Sequence, residues 1–198
     1  MTASPVQPLR HRVAAVEMLV GAVVGLIASF VLSVDALALA ANPDAVFSCD
    51  INAKISCGTV GQSWQAELFG FPHSFLGLMS EPVVITVAVA LLAWGGRSLF
   101  PRWFMIAAQG VYTLGFTLAV WLFYQSYFVI GALCPWCLTI TVTTLLVWMS
   151  LTRINVLDGN FGERIRRIGT PLLRVYKGDL IVTVLAVAVI AGFAIQYL

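Results

Sequence analysis

The sequence predicts an all-α integral membrane protein, because apolar residues dominate it, charge is scarce and long apolar runs recur. Of its 198 residues, 60% are hydrophobic and only 10% are charged, and the mean hydropathy is +0.95. A soluble domain of ordinary composition is about 25% charged. A helix needs about 20 apolar residues to cross a hydrocarbon core of about 30 Å. The spanning segments can therefore be counted directly.

Five transmembrane helices are predicted. Their approximate bounds are 13–41, 74–94, 103–124, 133–151 and 180–198. The first run is too long for a signal peptide, and no small-residue cleavage site lies where a short apolar region would end. We therefore expect it to be retained as a helix. One membrane domain, residues 1–198, accounts for the chain.

The basic residues predict the orientation, because lysine and arginine are enriched in the cytoplasmic connections of membrane proteins. Every lysine and arginine except Lys54 lies on one side of the predicted helices. These residues are Arg10, Arg12, Arg97, Arg102, Arg153, Arg164, Arg166, Arg167, Arg174 and Lys177. We therefore expect a multi-pass protein of the cell membrane with a cytoplasmic N-terminus and an external C-terminus. The basic residues indicate topology and not nucleic-acid binding.

Two connections differ in character. The external loop at about 42–73 is predicted to be irregular, with an aromatic patch that dips into the membrane interface. This patch consists of Trp64, Leu68, Phe69 and Phe71. The linker at about 152–178 is rich in arginine and glycine. It is expected to lie on anionic lipid at the cytoplasmic face.

All four cysteines are predicted to lie on the external side, where disulfides form and persist. Cys49 and Cys57 belong to the long loop, whereas Cys134 and Cys137 form a Cys-Pro-Trp-Cys sequence at the start of the fourth helix. Unpaired backbone N–H groups and the helix dipole stabilise a thiolate there. Pro135 is tolerated in a first helical turn. The pattern is typical of a reactive dithiol.

Two other uses of these sulfurs remain open, namely inert disulfides and a four-thiolate zinc site. The two ligands of a pair in a structural zinc site are usually two to four residues apart, and Cys49 and Cys57 are further apart than that. The apolar mouth of the helix bundle also lacks polar groups that would orient zinc ligands. A bond within one helical turn closes too small a loop to stabilise much. Redox exchange is therefore favoured.

Several short motifs, in this order, resemble vitamin K epoxide reductase and its bacterial homologues. They are Cys49-Asp50, Ile55-Ser56-Cys57, Ser63-Trp64, His73-Ser74-Phe75-Leu76-Gly77 and Cys134-Pro135-Trp136-Cys137. The resemblance extends over about 13–151, and bacterial members also have the fifth helix. It implies a four-helix bundle around a quinone head group plus an additional C-terminal helix.

The resemblance also implies roles for individual residues. Cys49 and Cys57 would be the shuttle pair that oxidises a protein partner. Cys134 would exchange with Cys57, and Cys137 would lie beside the quinone. Ser63 would line the quinone site or hold the loop.

Two departures from the animal enzymes modify this expectation. His73 stands at the position of a quinone-binding asparagine and could donate a hydrogen bond or a proton. Thr141 replaces a quinone-binding tyrosine, so epoxide reduction is not the expected native reaction. The expected acceptor is a membrane quinone of the menaquinone or ubiquinone type, with no metal.

The partner is expected to be a separate protein, because no thioredoxin-like domain follows the fifth helix. It would be an extracytoplasmic thioredoxin-fold (DsbA-like) oxidase of protein thiols, and the chemistry would support disulfide bond formation.

Three acids lie within predicted helices. Glu81 precedes Pro82, and an intramembrane acid suggests proton delivery, or else a bend in the helix with a polar partner. Asp35 and Glu17 lie near helix ends, where a structural role at the interface is expected.

Two other functions compete. In a DsbB-type quinone reductase the close cysteine pair lies in the first external loop, whereas here the spaced pair comes first. A membrane protein that binds or transports zinc or copper would use the thiols as soft ligands.

Overall fold

The computed structural model describes residues 6–94 and 100–175, together with a few isolated positions between 185 and 192. The described chain consists of α1 (Val6–Ala41), α2 (Cys57–Gly61), a 3-10 turn (Trp64–Glu67), α3 (Ser74–Ala93), α4 (Arg102–Gln125), a π turn (Ser126–Ile130), α5 (Pro135–Leu157) and α6 (Glu163–Val175). Its β pairing is limited to two isolated bridges. The prediction of an all-α protein is confirmed.

Four helices in the described residues are long and apolar enough to span a membrane. They are His11–Ala41, Ser74–Ala93, Arg102–Ile130 and Pro135–Leu157. The predicted fifth helix at 180–198 lies almost wholly outside the described residues. The protein is a multi-pass membrane protein with at least these four spans.

The helix bounds depart from the expected ones mainly at polar ends. Helix α1 begins at Val6 and not near residue 13, and α5 continues to Leu157 past the expected end at 151. Their polar ends are paired with each other, since His11 Nε2 lies 2.8 Å from Asp158 and Arg153 donates to Glu17 at 3.1 Å. A prediction from hydropathy ends the helix at such polar residues. Because partners in the other helix satisfy these side chains, the helix continues.

The linker also differs from expectation, because most of 152–178 is helical. After α5 ends, glycines at 159 and 162 with positive φ turn the chain into α6. The exposed face of α6 carries Arg164, Arg166 and Arg167. This amphipathic basic helix fits a position on a membrane surface.

The packing places α1 at the centre, against α3 on one side and α5 on the other, with α4 against α5. Small residues permit the close approach: a Cβ on Gly25 would lie 3.1 Å from both Glu81 Oε1 and Thr143 Oγ1. Two apolar clusters result. One contains Met18, Leu91 and Ile154, and the other contains the cysteines.

We call the two ends of the bundle the cysteine end and the basic end. The cysteine end holds Cys49, Cys57, Cys134 and Cys137 with the residues that pack against them. The basic end holds Arg102, Arg153, α6 and the start of α1, joined by contacts among them. The cysteine end contains the candidate site.

Candidate functional site

The loop pair is a closed disulfide held within the loop that joins α1 to α3. Cys49 and Cys57 are bonded, with Cα atoms 5.7 Å apart. Both residues are buried, at 8% and 3% exposure. Access to this bond is therefore narrow.

Asp50 orders the backbone between the two cysteines. Its carboxylate accepts hydrogen bonds from Ser56 Oγ at 2.7 Å, Phe47 N at 2.8 Å and Gly58 N at 2.9 Å. Desolvation raises the pKa of Asp50, but these hydrogen bonds outweigh it and hold the pKa below the ordinary value. The charged carboxylate is therefore the centre of the loop fold.

A backbone bridge aligns the loop with the start of α5. The N–H of Leu133 donates to the carbonyl of Lys54 at 2.8 Å, and the N–H of Ser56 donates to the carbonyl of Leu133 at 3.1 Å. Gly131, at φ +72°, ends the π turn and directs the chain into this bridge. Because Cys57 follows Ser56 and Cys134 follows Leu133, the bridge sets the two cysteines side by side.

The two pairs meet through their sulfurs. Cys134 Sγ lies 3.4 Å from Cys57 Sγ. Cys134 and Cys137 are free thiols, the first buried and the second half-buried. Thiol–disulfide exchange proceeds by attack of one sulfur on another. This distance places Cys134 within reach of Cys57 for such an attack.

Cys134 is the N-cap of α5, and its sulfur accepts the N–H of Cys137 at 3.3 Å. Donation from the Cys137 thiol lowers the pKa of Cys134, and the backbone N–H groups of Cys137 and Trp136 lower it further. Burial and the charge of Asp35 oppose this effect without cancelling it. Cys134 is therefore favoured as a thiolate.

Two cavities flank the sulfurs. The larger cavity, about 260 Å³, lies between the end of α1, α2, the 3-10 turn and the start of α3. The smaller cavity, about 50 Å³, lies between the loop, α4, the π turn and α5. Both are lined by Val60, Ser63, Ala66, His73 and Cys137. Cys137 is thus the redox thiol that faces both spaces.

Comparison with known families identifies this arrangement. The model of the vitamin K epoxide reductase family matches residues 16–152. The chain belongs to this family. A search of curated proteins found no match.

Membership makes the protein a membrane oxidoreductase, of a family whose chemistry is linked in general to quinones. The match covers most of α1, all of α3 and α4, and most of α5, together with the redox loop. It therefore includes both cysteine pairs of this vitamin K epoxide reductase family member.

Ser63 and Thr141 both touch cavity space, but their hydroxyls have backbone partners. Ser63 Oγ donates to the carbonyl of Val60 at 2.6 Å. Thr141 Oγ1 donates to the carbonyl of Cys137 at 3.0 Å, and Thr141 lines only the smaller cavity. Each hydroxyl already donates its proton to a backbone carbonyl, so toward a ligand its oxygen can only accept a hydrogen bond.

His73 lies at the start of α3, on the walls of both cavities. Its Nδ1 lies 2.8 Å from the carbonyl of Ala66. A carbonyl can only accept, so Nδ1 carries the proton and the neutral ring presents Nε2 as an acceptor. Burial lowers the pKa of His73, against the hydrogen bond to Ala66, which raises it. The neutral ring can therefore accept from a quinol hydroxyl.

Glu81 is not among the residues that line these two cavities. It is buried in the bundle, where Tyr112 donates to its Oε2 at 3.1 Å. A seam of small residues joins it to the larger cavity along α1 and α3. Ser33 Oγ lies 3.0 Å from the cavity residue Ser74, and the Ser29 hydroxyl occupies the space beside Gly77.

Asp35 is the site residue for which the sequence suggested only a structural role. Its carboxylate and the sulfurs of Cys49 and Cys57 all lie within 4.8 Å of one another. It also lines the larger cavity. In the sequence, Asp35 is only an acid near the end of an apolar helix that precedes Cys49. This pattern does not distinguish an acid at the membrane interface from an acid beside the disulfide.

Proposed function

We propose that this protein is a thiol:quinone oxidoreductase that reoxidises an extracytoplasmic thioredoxin-fold protein and passes the electrons to a membrane quinone. The 3.4 Å contact between Cys57 Sγ and Cys134 Sγ carries this proposal. Cys137, one turn further into α5, lines both cavities. The sulfurs thus form a continuous route from the loop to a ligand-sized space.

Each transfer in this route balances. A partner thiolate attacks the Cys49–Cys57 disulfide, and the partner's second thiol completes its own disulfide and leaves the loop pair reduced. The Cys57 thiolate attacks Cys134 in an oxidised Cys134–Cys137 bond and Cys137 leaves. Cys49 then attacks Cys57 and releases Cys134. The membrane dithiol finally loses two electrons and two protons to the quinone and becomes a disulfide again.

The cavities have the character of a quinone site. The larger one approaches the range of about 300 Å³ and upward found for small-molecule pockets. Most of its wall is apolar, and the polar side chains that line it beside Cys57 and Cys137 are Asp35, Gln62, Ser63, Glu67, His73 and Ser74. Glu81 would resupply protons for quinol formation through the seam at Ser29, Ser33 and Ser74. Polar oxygens along this seam support a proton route, since Ser33 Oγ lies 2.7 Å from the Ser29 carbonyl and 3.0 Å from Ser74 Oγ.

The exposed surface and the distribution of charge support an extracytoplasmic partner. Val46 and Ile51 flank Cys49 and are strongly exposed, at 84% and 66%. Such an apolar rim suits a protein that docks over the disulfide. The basic end holds Arg102, Arg153 and α6, which supports a cytoplasmic position for that end and an extracytoplasmic position for the cysteines.

The proposal is tested by Cys137→Ala in the full chain, reconstituted in lipid with a soluble ubiquinone or menaquinone analogue and dithiothreitol. Quinone reduction, followed by ultraviolet absorbance, should fall to the uncatalysed rate because the last electron donor is gone. In the same variant isolated without reductant, Cys134 should accumulate in a mixed disulfide with Cys57, which peptide mass spectrometry detects. Unaltered turnover would contradict the assignment.

Cys49→Ser is the matched control for this experiment. It should retain quinone reduction by dithiothreitol, since a small thiol can reduce the Cys134–Cys137 bond directly. It should lose turnover with a reduced DsbA-like protein. Loss of both activities would show that the two pairs do not have separate roles.

A soft-metal site is the alternative function, because Asp35, Cys49 and Cys57 offer three ligand atoms within 4.8 Å of one another. The sulfurs could act as thiolate ligands only with the disulfide open. Metal analysis of anaerobically purified, reduced protein distinguishes the two. Stoichiometric zinc or copper supports the metal function, whereas bound quinone supports ours.

A further inference from the structure

We propose that Asp35 is the proton carrier for exchange between the loop pair and the membrane pair. This inference rests on the proposed function, because it concerns the step in which Cys49 and Cys57 reduce Cys134–Cys137. It assigns chemistry to an acid that sequence and family resemblance leave without a role.

The position of Asp35 meets the first requirement, which is proximity to the reacting sulfurs. Its carboxylate lies within 4.8 Å of both loop sulfurs, and its charge also acts on Cys134. It faces the larger cavity, which is shared with Cys57 and Cys137. One carboxylate on the rigid helix α1 is therefore near both the donor and the acceptor pair.

Asp35 is also free to take a proton. It makes no hydrogen bond within the part of the chain that the structure describes. Asp50, the other acid near these sulfurs, is engaged by Ser56, Gly58 and Phe47 and holds the loop together. Of the two acids near the disulfide, Asp50 therefore stabilises the loop and Asp35 is available for proton transfer.

The exchange needs such a group because only a thiolate attacks a disulfide. A thiol of ordinary pKa, about 8.5, is only about 1% ionised at pH 6.5. Hydrogen bonds from the start of α5 stabilise a thiolate at Cys134. The loop cysteines lie outside that helix, so a neighbouring base must take their protons.

The proposed step conserves atoms and electrons. Asp35 removes the proton of Cys57, whose thiolate bonds to Cys134 while the Cys134–Cys137 bond breaks and Cys137 takes up the proton. Asp35 next removes the proton of Cys49, which bonds to Cys57 while the Cys57–Cys134 bond breaks. The released Cys134 takes this second proton. Two electrons and two protons have moved between the pairs, and Asp35 ends as it began.

Other titratable groups face Asp35 from the elements around it. Asp50 acts on it from the loop and Cys134 lies at the start of α5. Glu67 and His73 line the same cavity from the 3-10 turn and the start of α3. A pH profile alone would combine these groups, so the test compares variants at each pH.

The test measures exchange without quinone. The oxidised full chain, with both pairs closed, is mixed with a reduced thioredoxin-fold protein, quenched with acid and alkylated, and the Cys137 thiol is followed by mass. Asp35→Asn should slow its appearance by about 100-fold at pH 6, the scale of general-base catalysis. The deficit should shrink as pH rises toward the thiol pKa. Formate should accelerate Asp35→Ala, because a small carboxylate can enter the cavity.

Asp44→Asn is the matched control, since Asp44 is an exposed acid in the redox loop that follows α1. Asp35→Glu retains a carboxylate and should keep most of the rate, which guards against a general loss of fold. Wild-type rates in Asp35→Asn, or equal slowing at every pH without formate rescue, would overturn the proposal. Failure of quinone reduction in the wild type would refute the proposed function and leave this exchange measurement intact.

Discussion

The cysteine end and the basic end of the bundle both bury polar groups, but at the cysteine end some of these groups face a cavity. Asn155, fully buried, donates to Met105 O at 3.3 Å and Gln109 Oε1 at 3.1 Å and accepts from Asn160 at 2.8 Å. At the cysteine end, by contrast, the Asp35 carboxylate and the Cys137 thiol line a cavity. Closed networks stabilise a fold, whereas groups that face a cavity remain available to react with a ligand.

This difference implies that mutations at the two ends have separable effects. Changes at the basic end should alter the free energy of unfolding and leave the kinetics of the folded protein intact. Changes at the cysteine end should alter kinetics with little effect on unfolding. Three predictions test the separation.

The largest effect is expected for Asn155→Leu at the basic end. The substitution leaves the side-chain oxygen of Gln109 and the side-chain amide nitrogen of Asn160 without their Asn155 partner, which costs about 3 kcal/mol for buried polar groups. Unfolding of the protein in detergent, followed by circular dichroism, measures the loss. The KM for quinone of the surviving folded protein should not change.

Thr117→Val is the control for Asn155→Leu. Thr117 is exposed and bonds only within its own helix, to Thr113 O at 2.8 Å, so stability should change little. A large change in KM with Asn155→Leu would show that the basic end is coupled to the site.

An intermediate effect is expected for His73→Ala. Loss of one hydrogen bond of about 1 kcal/mol from a quinol hydroxyl to the ring raises the KM for quinol, measured in the reverse reaction, about fivefold. Because burial lowers the pKa of His73, the ring is neutral at pH 7 and protonates only below its ordinary value of about 6.5. The wild-type KM should therefore be constant from about pH 7 to 8 and change only in more acidic solution.

The second histidine provides the comparison for His73. His11 is paired with Asp158 at the basic end, so His11→Ala should lower stability and leave the KM unchanged. Equal KM values for wild type and His73→Ala would remove His73 from the quinone site.

The smallest effect is expected for Asp50→Ala, which removes the acceptor at the centre of the redox loop. Amide hydrogen exchange at Gly58 and Phe47 should become several-fold faster, because their N–H groups donate to Asp50, while global unfolding changes little. Asp44→Ala should leave exchange unchanged. Exchange as fast in wild type as in Asp50→Ala would mean that the carboxylate does not order the loop.

The same bonds predict a pH dependence of loop order. The pKa of Asp50 is lowered in the folded loop, so its stabilisation is fully present above the unfolded carboxyl pKa of about 3.9. It is lost as pH falls through the lowered value. Protection at Gly58 should therefore persist below about pH 4 in the wild type.

Polar residues explain where the predicted helix bounds were wrong. Hydropathy places the end of α5 near residue 151 because Arg153 and Asn155 follow, yet both lie within the helix and have partners in other elements. The starts of α3 and α5 were predicted within two residues, because His73 and Cys134 precede uninterrupted apolar runs. The local sequence pattern predicts a helix end accurately where no partner in another element extends the helix.

The sequence by itself determined the membrane class, the four described spans, the family and the existence of two cysteine pairs, because hydropathy and motif spacing are properties of neighbouring residues. Only the tertiary structure decided that Leu133 bridges the loop, that His73 presents an acceptor and that Asp35 adjoins a disulfide. Such facts depend on contacts between distant segments, as with Cys57 and Cys134, which are 77 residues apart. Hydrogen bonds and packing across the bundle set those distances, and no local pattern encodes them.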